Sequence, residues 1–164
     1  MNPLTESDLR AAFVNLTKGE TKRLNVPRDL AQRPWDDLDY FGWRDPQSPM
    51  RGYLVAPVGD RLVGVALRAP SSSVGSARPS MCSLCLTLHS GGVSLMVAPR
   101  AGKAGQQGHS VGTNICADLS CSLYLRGKLR TGTPAMRETL SLDQRIERLV
   151  GNVESFLGRV TSAA

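Results

Sequence analysis

The chain has 164 residues, of which 41% are hydrophobic, 21% charged and 5% aromatic, with a net charge of +6. These values are ordinary for one globular domain with a mostly aliphatic core. No run of about 18 apolar residues occurs, which excludes a membrane-spanning helix. The start, MNPLTESDLR, carries acids and no apolar stretch, so it does not read as a secretory signal, and a cytoplasmic location is expected.

Residues 4–16 read as a helix. Thr5 and Asp8 suggest a capped start, and Leu9, Ala12, Phe13 and Leu16 form an apolar stripe. The following TKGETKRLNVPRDLAQRP is polar, basic and broken. PWDDLDYFGWRDPQSP holds both tryptophans between prolines and reads as a packed loop with one helical turn. Residues 51–58 and 61–69 are rich in Val and Leu around Gly59 and Asp60, a hairpin pattern. APSSSVGSARPS, from Ala69 to Ser80, reads as a mobile loop.

Residues 84–89 and 92–98 suggest a second hairpin around Ser90 and Gly91, with Val93, Leu95 and Val97 alternating against small or flexible neighbours. RAGKAGQQGHSVG is a Gly-rich loop. NICADLSCSLYLRGK then reads as a helix that begins near Cys116 and ends at Gly127. The last helix is signalled by a capping box, Ser141 with Gln144. Leu142, Ile146, Leu149, Val153, Phe156, Leu157 and Val160 recur at helical spacing behind it.

The four cysteines fall as Cys82-x2-Cys85 and Cys116-x4-Cys121, thirty residues apart. A reducing compartment disfavours disulfides, and two close pairs favour a metal. The first pair sits at a strand-rich turn. The second sits where a helix begins, and free N–H groups there stabilise thiolates. A knuckle on a hairpin plus a helix N-terminus is the plan of a treble-clef zinc finger. Four sulfurs close a tetrahedral shell, so one structural Zn²⁺ is expected. Four ordinary buried cysteines and a redox Cys-x-x-Cys are the competing readings. His89 or His109 in place of one ligand is a variant of the metal reading. The blander view takes both histidines as exposed residues flanking strands.

Charge is unevenly spread. Residues 1–60 carry 8 basic and 9 acidic side chains (−1). Residues 61–137 carry 9 basic and one acid, Asp118 (+8), and residues 138–164 carry 3 and 4 (−1). The cysteine-bearing segment is therefore the cationic one, which favours an acidic partner, nucleic acid or protein. Arg100, Lys103, Arg126, Lys128 and Arg130 are its candidate contacts. GKAGQQG lacks the Lys-Ser/Thr of a phosphate loop, because Ala104 follows Lys103. Asp36, Asp37 and Asp39 have no nucleophile or base nearby and read as a solvated loop anchored by Trp35, Tyr40 and Trp43. No enzyme activity and no small-molecule substrate are expected.

PWDDLDYFGWRDP, GVALRAP, MCSLC, GGVSLMVAPRAGKAGQQG and ICADLSCSLYLRGK resemble the elongation factor G-binding protein family over about residues 3–160. Its defining part is a C-terminal treble-clef zinc-finger domain shared with fusidic-acid-resistance proteins. The resemblance implies a non-enzymatic, translation-associated protein whose finger binds elongation factor G and helps release it from the ribosome. It implies zinc ligands at Cys82, Cys85, Cys116 and Cys121. It places partner contacts at Ser83 and Leu84 in the knuckle, from Lys103 through Gln106 and Gln107 to Ser110, and from Tyr124 through Arg126 to Lys128.

The expected architecture is α+β over residues 1–164. An N-terminal helix and Trp-containing segment (1–60) precede antiparallel hairpins around the Cys₄ treble clef (61–137), and an amphipathic helix (138–164) closes the chain. Elongation factor G is the expected partner. Direct binding of RNA or the ribosome is the alternative.

Overall fold

The computed structural model describes residues 1–69, 79–134, 136 and 138–162. The loop expected over Ala69–Ser80 lies mostly outside the described residues.

Helix α1 (Glu6–Ala12) starts at Thr5, whose hydroxyl accepts the Asp8 amide while the Asp8 carboxylate accepts the Thr5 amide. It stops short of residue 16 because Phe13 turns extended and forms a parallel bridge to Gly64. A second box, Thr17 with Glu20, starts the short helix α2 (Lys18–Lys22) in the stretch that had looked merely broken. After a 3₁₀ turn at Trp35–Asp37, the expected packed loop becomes strand β1 (Phe41–Arg44).

The first hairpin forms as expected from β2 (Arg51–Val58) and β3 (Arg61–Arg68). The second does not. Residues 88–90 form β5 (Leu88–Ser90), which pairs with β4 (Pro79–Met81) rather than with the following strand. Strand β6 (Val93–Pro99) instead lies between β3 and β7 (Ser110–Cys116). The result is a five-stranded antiparallel sheet, β1-β2-β3-β6-β7, beside a two-stranded one. The Gly-rich loop contains a short helix, α3 (Gly102–Gln106), where Gly105 lies so close to the Arg100 carbonyl that a Cβ would overlap it.

Both faces of the main sheet are covered. Alternation along β2 sends Leu54 and Ala56 to one side and Tyr53 and Val55 to the other. On the first side lies α5 (Leu142–Thr161), which buries Leu149, Val153, Phe156, Leu157 and Val160 with the four cysteines. Each such side chain contributes on the order of 2 kcal/mol by leaving water. Leu142, the first residue of α5, stays 41% exposed. The other side holds α1 and an aromatic cluster in which Phe41 and Trp43 stack at 5.2 Å and Trp43 meets Tyr53 at 5.0 Å. No helix among the described residues is long and apolar enough to cross a membrane.

Candidate metal centre

Three local structures deliver the four thiols. Strands β4 and β5 form the knuckle hairpin, in which the Cys82 amide donates to the Thr87 carbonyl and the Leu86 amide donates to that of Cys82 (both 3.0 Å). Cys116 is the last residue of β7, and Cys121 opens α4 (Cys121–Leu125). The second pair is therefore not on one helix, as its spacing had suggested. Between its members, Asp118 accepts the Ser120 amide and Leu119 takes a left-handed φ of 62°, so the chain turns before the helix can start. The Ser83 amide donates to the Asn114 carbonyl at 2.7 Å and fastens the knuckle to β7.

All four sulfurs are buried and lie within 4.8 Å of one another. Cys82 and Cys121 are 3.6 Å apart at Sγ, as are Cys85 and Cys116. A tetrahedral ion with sulfurs at about 2.3 Å requires edges near 3.8 Å, so the set fits one Zn²⁺. The same separations are far too long for disulfides, and all four thiols are free. Their electrostatics also ask for a cation. Hydrogen bonds from Cys116 and Cys121 pull the Cys82 thiol far down, while burial pushes that of Cys121 far up. Four packed thiols cannot all ionise without a positive ion among them. The set is closed, so the metal is structural and its binding energy becomes folding energy.

Around the sulfurs lies a set of donors that spacing alone did not reveal. The Leu84 amide points at Cys82 Sγ (3.4 Å). The Thr87 hydroxyl is 2.9 Å from Cys85 Sγ and 2.8 Å from His89 Nε2, and that nitrogen is 3.3 Å from Cys116 Sγ. His89 is buried, not exposed, and supports ligands rather than replacing one; burial lowers its pKa below the ordinary imidazole value. His109 is exposed and outside the cluster. The buried Tyr40 hydroxyl lies beside Cys121 and has no other hydrogen-bond partner among the described residues; burial, then the adjacent Cys121 and Cys116, hold its proton on, leaving it a donor available to the sulfurs.

The expected partner residues scatter over several environments. Ser83, Lys103, Gln106, Gln107 and Ser110 are exposed. Leu84 is 2% exposed, its carbonyl accepting Asn152 Nδ2, so its side chain belongs to the core. Arg100 is half-buried and Nη1 donates to the Ser162 carbonyl. Tyr124 is half-buried, with its hydroxyl donating to Asp118 and its ring edge-on to His89 at 4.5 Å. Arg126 makes a two-pronged pair with Asp39, and Lys128 pairs with Asp37. The acidic cluster is thus not a solvated loop. Two of its carboxylates neutralise the cations that follow α4.

A family model described as FBP C-terminal treble-clef zinc-finger matches residues 8–160. Comparison with curated proteins finds no match, and neither does comparison with solved structures.

Proposed function

Because this chain belongs to the FBP C-terminal treble-clef zinc-finger family, we propose that it is a non-enzymatic, translation-associated protein that binds elongation factor G through its zinc-finger face and promotes the factor's release from the ribosome. A closed four-sulfur site supports binding over catalysis, since it offers no open position to water or substrate. One observation carries the choice of a protein partner. Beside the finger runs a groove of about 500 Å³ between the knuckle residues Leu86 and Thr87, Tyr124, and the segment carrying Leu129 and Met136. Leu129 and Met136 are 37% and 55% exposed, apolar anchors of the type that protein interfaces bury. The neighbouring Arg126 and Lys128 are paired internally, which reduces the free charge that a nucleic acid would need.

The test is titration of zinc-loaded protein with purified elongation factor G. Tight binding is expected, weakened at least about tenfold by Leu129→Glu with Met136→Glu and lost with zinc removal. Lys103→Glu reports whether the loop before Cys116 takes part. No interaction at low salt, with zinc bound, contradicts the proposal.

A further inference from the structure

A second groove runs over other residues. Three adjoining depressions share Leu16 and Glu20 in their walls. Arg23 and Arg51 line one end, Arg51 and Arg68 the middle, and Arg68 and Arg100 the other end with Ser110. None of these residues belongs to the metal centre or to the groove beside it.

Arg51 and Arg68 are direct cross-strand partners of β2 and β3. Like charges set opposite one another repel, because the Cβ atoms of such pairs are only about 5 Å apart. A sheet normally relieves this with a nearby acid. Here none of Arg23, Arg51, Arg68 and Arg100 forms an ion pair among the described residues, whereas Arg10, Arg33, Arg126, Lys128 and Arg148 all do. The two acids in the groove are held mainly by other donors: hydrogen bonds from Thr17 lower the Glu20 carboxyl most and the nearby Arg51 and Arg23 charges add to this, but neither acid forms an ion pair among the described residues. Glu20 accepts the Thr17 amide and hydroxyl, and Asp45 accepts from Asn25, the Gln47 amide and Tyr53. Four arginines without an ion pair among the described residues thus line one groove, and two of them, Arg68 and Arg100, belong to the cationic 61–137 segment of the sequence.

We propose that this arginine groove docks the phosphate backbone of helical RNA. Its cations are all arginines, whose planar forks match phosphate oxygens two at a time. Its apolar side chains are withdrawn from the surface, with Tyr53 and Leu67 4% and 1% exposed and Val14, Leu16, Val97 and Pro99 half-buried, so the exposed lining side chains are polar or cationic. No exposed aromatic lines it, so unstacked bases of a single strand find no platform. The exposed donors Gln106 and Ser110 at the wide end suit ribose 2′-hydroxyls.

The experiment measures fluorescence anisotropy of a short RNA hairpin, a DNA hairpin of the same sequence and a glutamate-rich peptide against the zinc-loaded full chain. No elongation factor is present, so the outcome is separate from that of the titration above. Arg51→Gln with Arg68→Gln is expected to weaken RNA binding at least about tenfold and to flatten the salt dependence by roughly two ions. Arg51→Lys with Arg68→Lys keeps the charge and restores most of the salt dependence. A double of equal charge loss elsewhere, Arg28→Gln with Arg61→Gln, both exposed and outside either groove, is expected to change affinity less than about threefold. Circular dichroism and zinc content check that each variant is folded. Equal losses from the two glutamine doubles, DNA binding as tight as RNA, preference for the acidic peptide, or no RNA binding at low salt each overturns the proposal.

Discussion

Arg126 and Asp39, 87 residues apart in sequence, meet through two parallel hydrogen bonds, Nη1 to Oδ2 at 2.7 Å and Nη2 to Oδ1 at 2.8 Å. Their side chains are only 13% and 10% exposed. Ser122, one turn earlier in α4, holds the Asp39 amide through its hydroxyl at 3.0 Å. The residues just before β1 are thereby clamped to the helix that carries Cys121. Close approach is also built into β1, since a Cβ at Gly42 would come within 2.5 Å of that of Leu119.

Breaking this pair leaves one charge nearly buried and unpaired. Asp39→Asn and Arg126→Met are each expected to cost about 3 kcal/mol, read as a lowered midpoint in denaturant unfolding. The double variant is expected to cost less than the sum of the singles. Strict additivity counts against a coupled clamp.

Outer donors orient metal-bound thiolates, and their loss weakens metal sites about 10- to 100-fold. His89→Ala is therefore expected to reduce zinc affinity by at least the lower figure in a competition titration with a chelator. Tyr40→Phe is expected to act in the same direction, with a shifted thiolate-to-cobalt band in the cobalt-substituted protein. Unchanged affinity and spectrum in both variants assign these residues to packing alone.

Glu138 pairs with Arg148 of α5, and the hydrogen bond from Arg148 lowers the Glu138 carboxyl below its ordinary value. A carboxyl lowered in the folded state contributes stability above its unfolded value, about 4.3, and loses it as pH falls through the folded one. Both side chains are about a quarter exposed, so screening limits the contribution to at most about 1 kcal/mol. Wild type is expected to exceed Glu138→Gln in stability at neutral pH, with the gap closing in acid. A gap that persists at low pH disproves the linkage.

Local rules carried much of the fold into the sequence. The capping box at Ser141 and the apolar repeat behind it marked α5, and the Gly59–Asp60 turn marked the β2–β3 hairpin. The four ligands were legible because thiol spacing reflects the coordination shell directly. What stayed hidden depended on distant partners. Strand β1 alternates, as Phe41, Gly42, Trp43 and Arg44, but is only 4 residues long, and its pairing with β2 makes it a strand. Strand β5 looked like the hairpin partner of β6, but it pairs with β4 instead. The charge reading was incomplete for the same reason: Asp37 and Asp39 lie far from Lys128 and Arg126 along the chain, so a segment-by-segment sum counted as free two cations that the fold neutralises.

X-ray absorption at the zinc edge of the purified, folded chain tests the metal clamp most directly. One zinc per chain with four sulfurs at about 2.3 Å is the predicted result. A folded chain that holds only a trace of zinc, or a shell that includes nitrogen or oxygen, contradicts it.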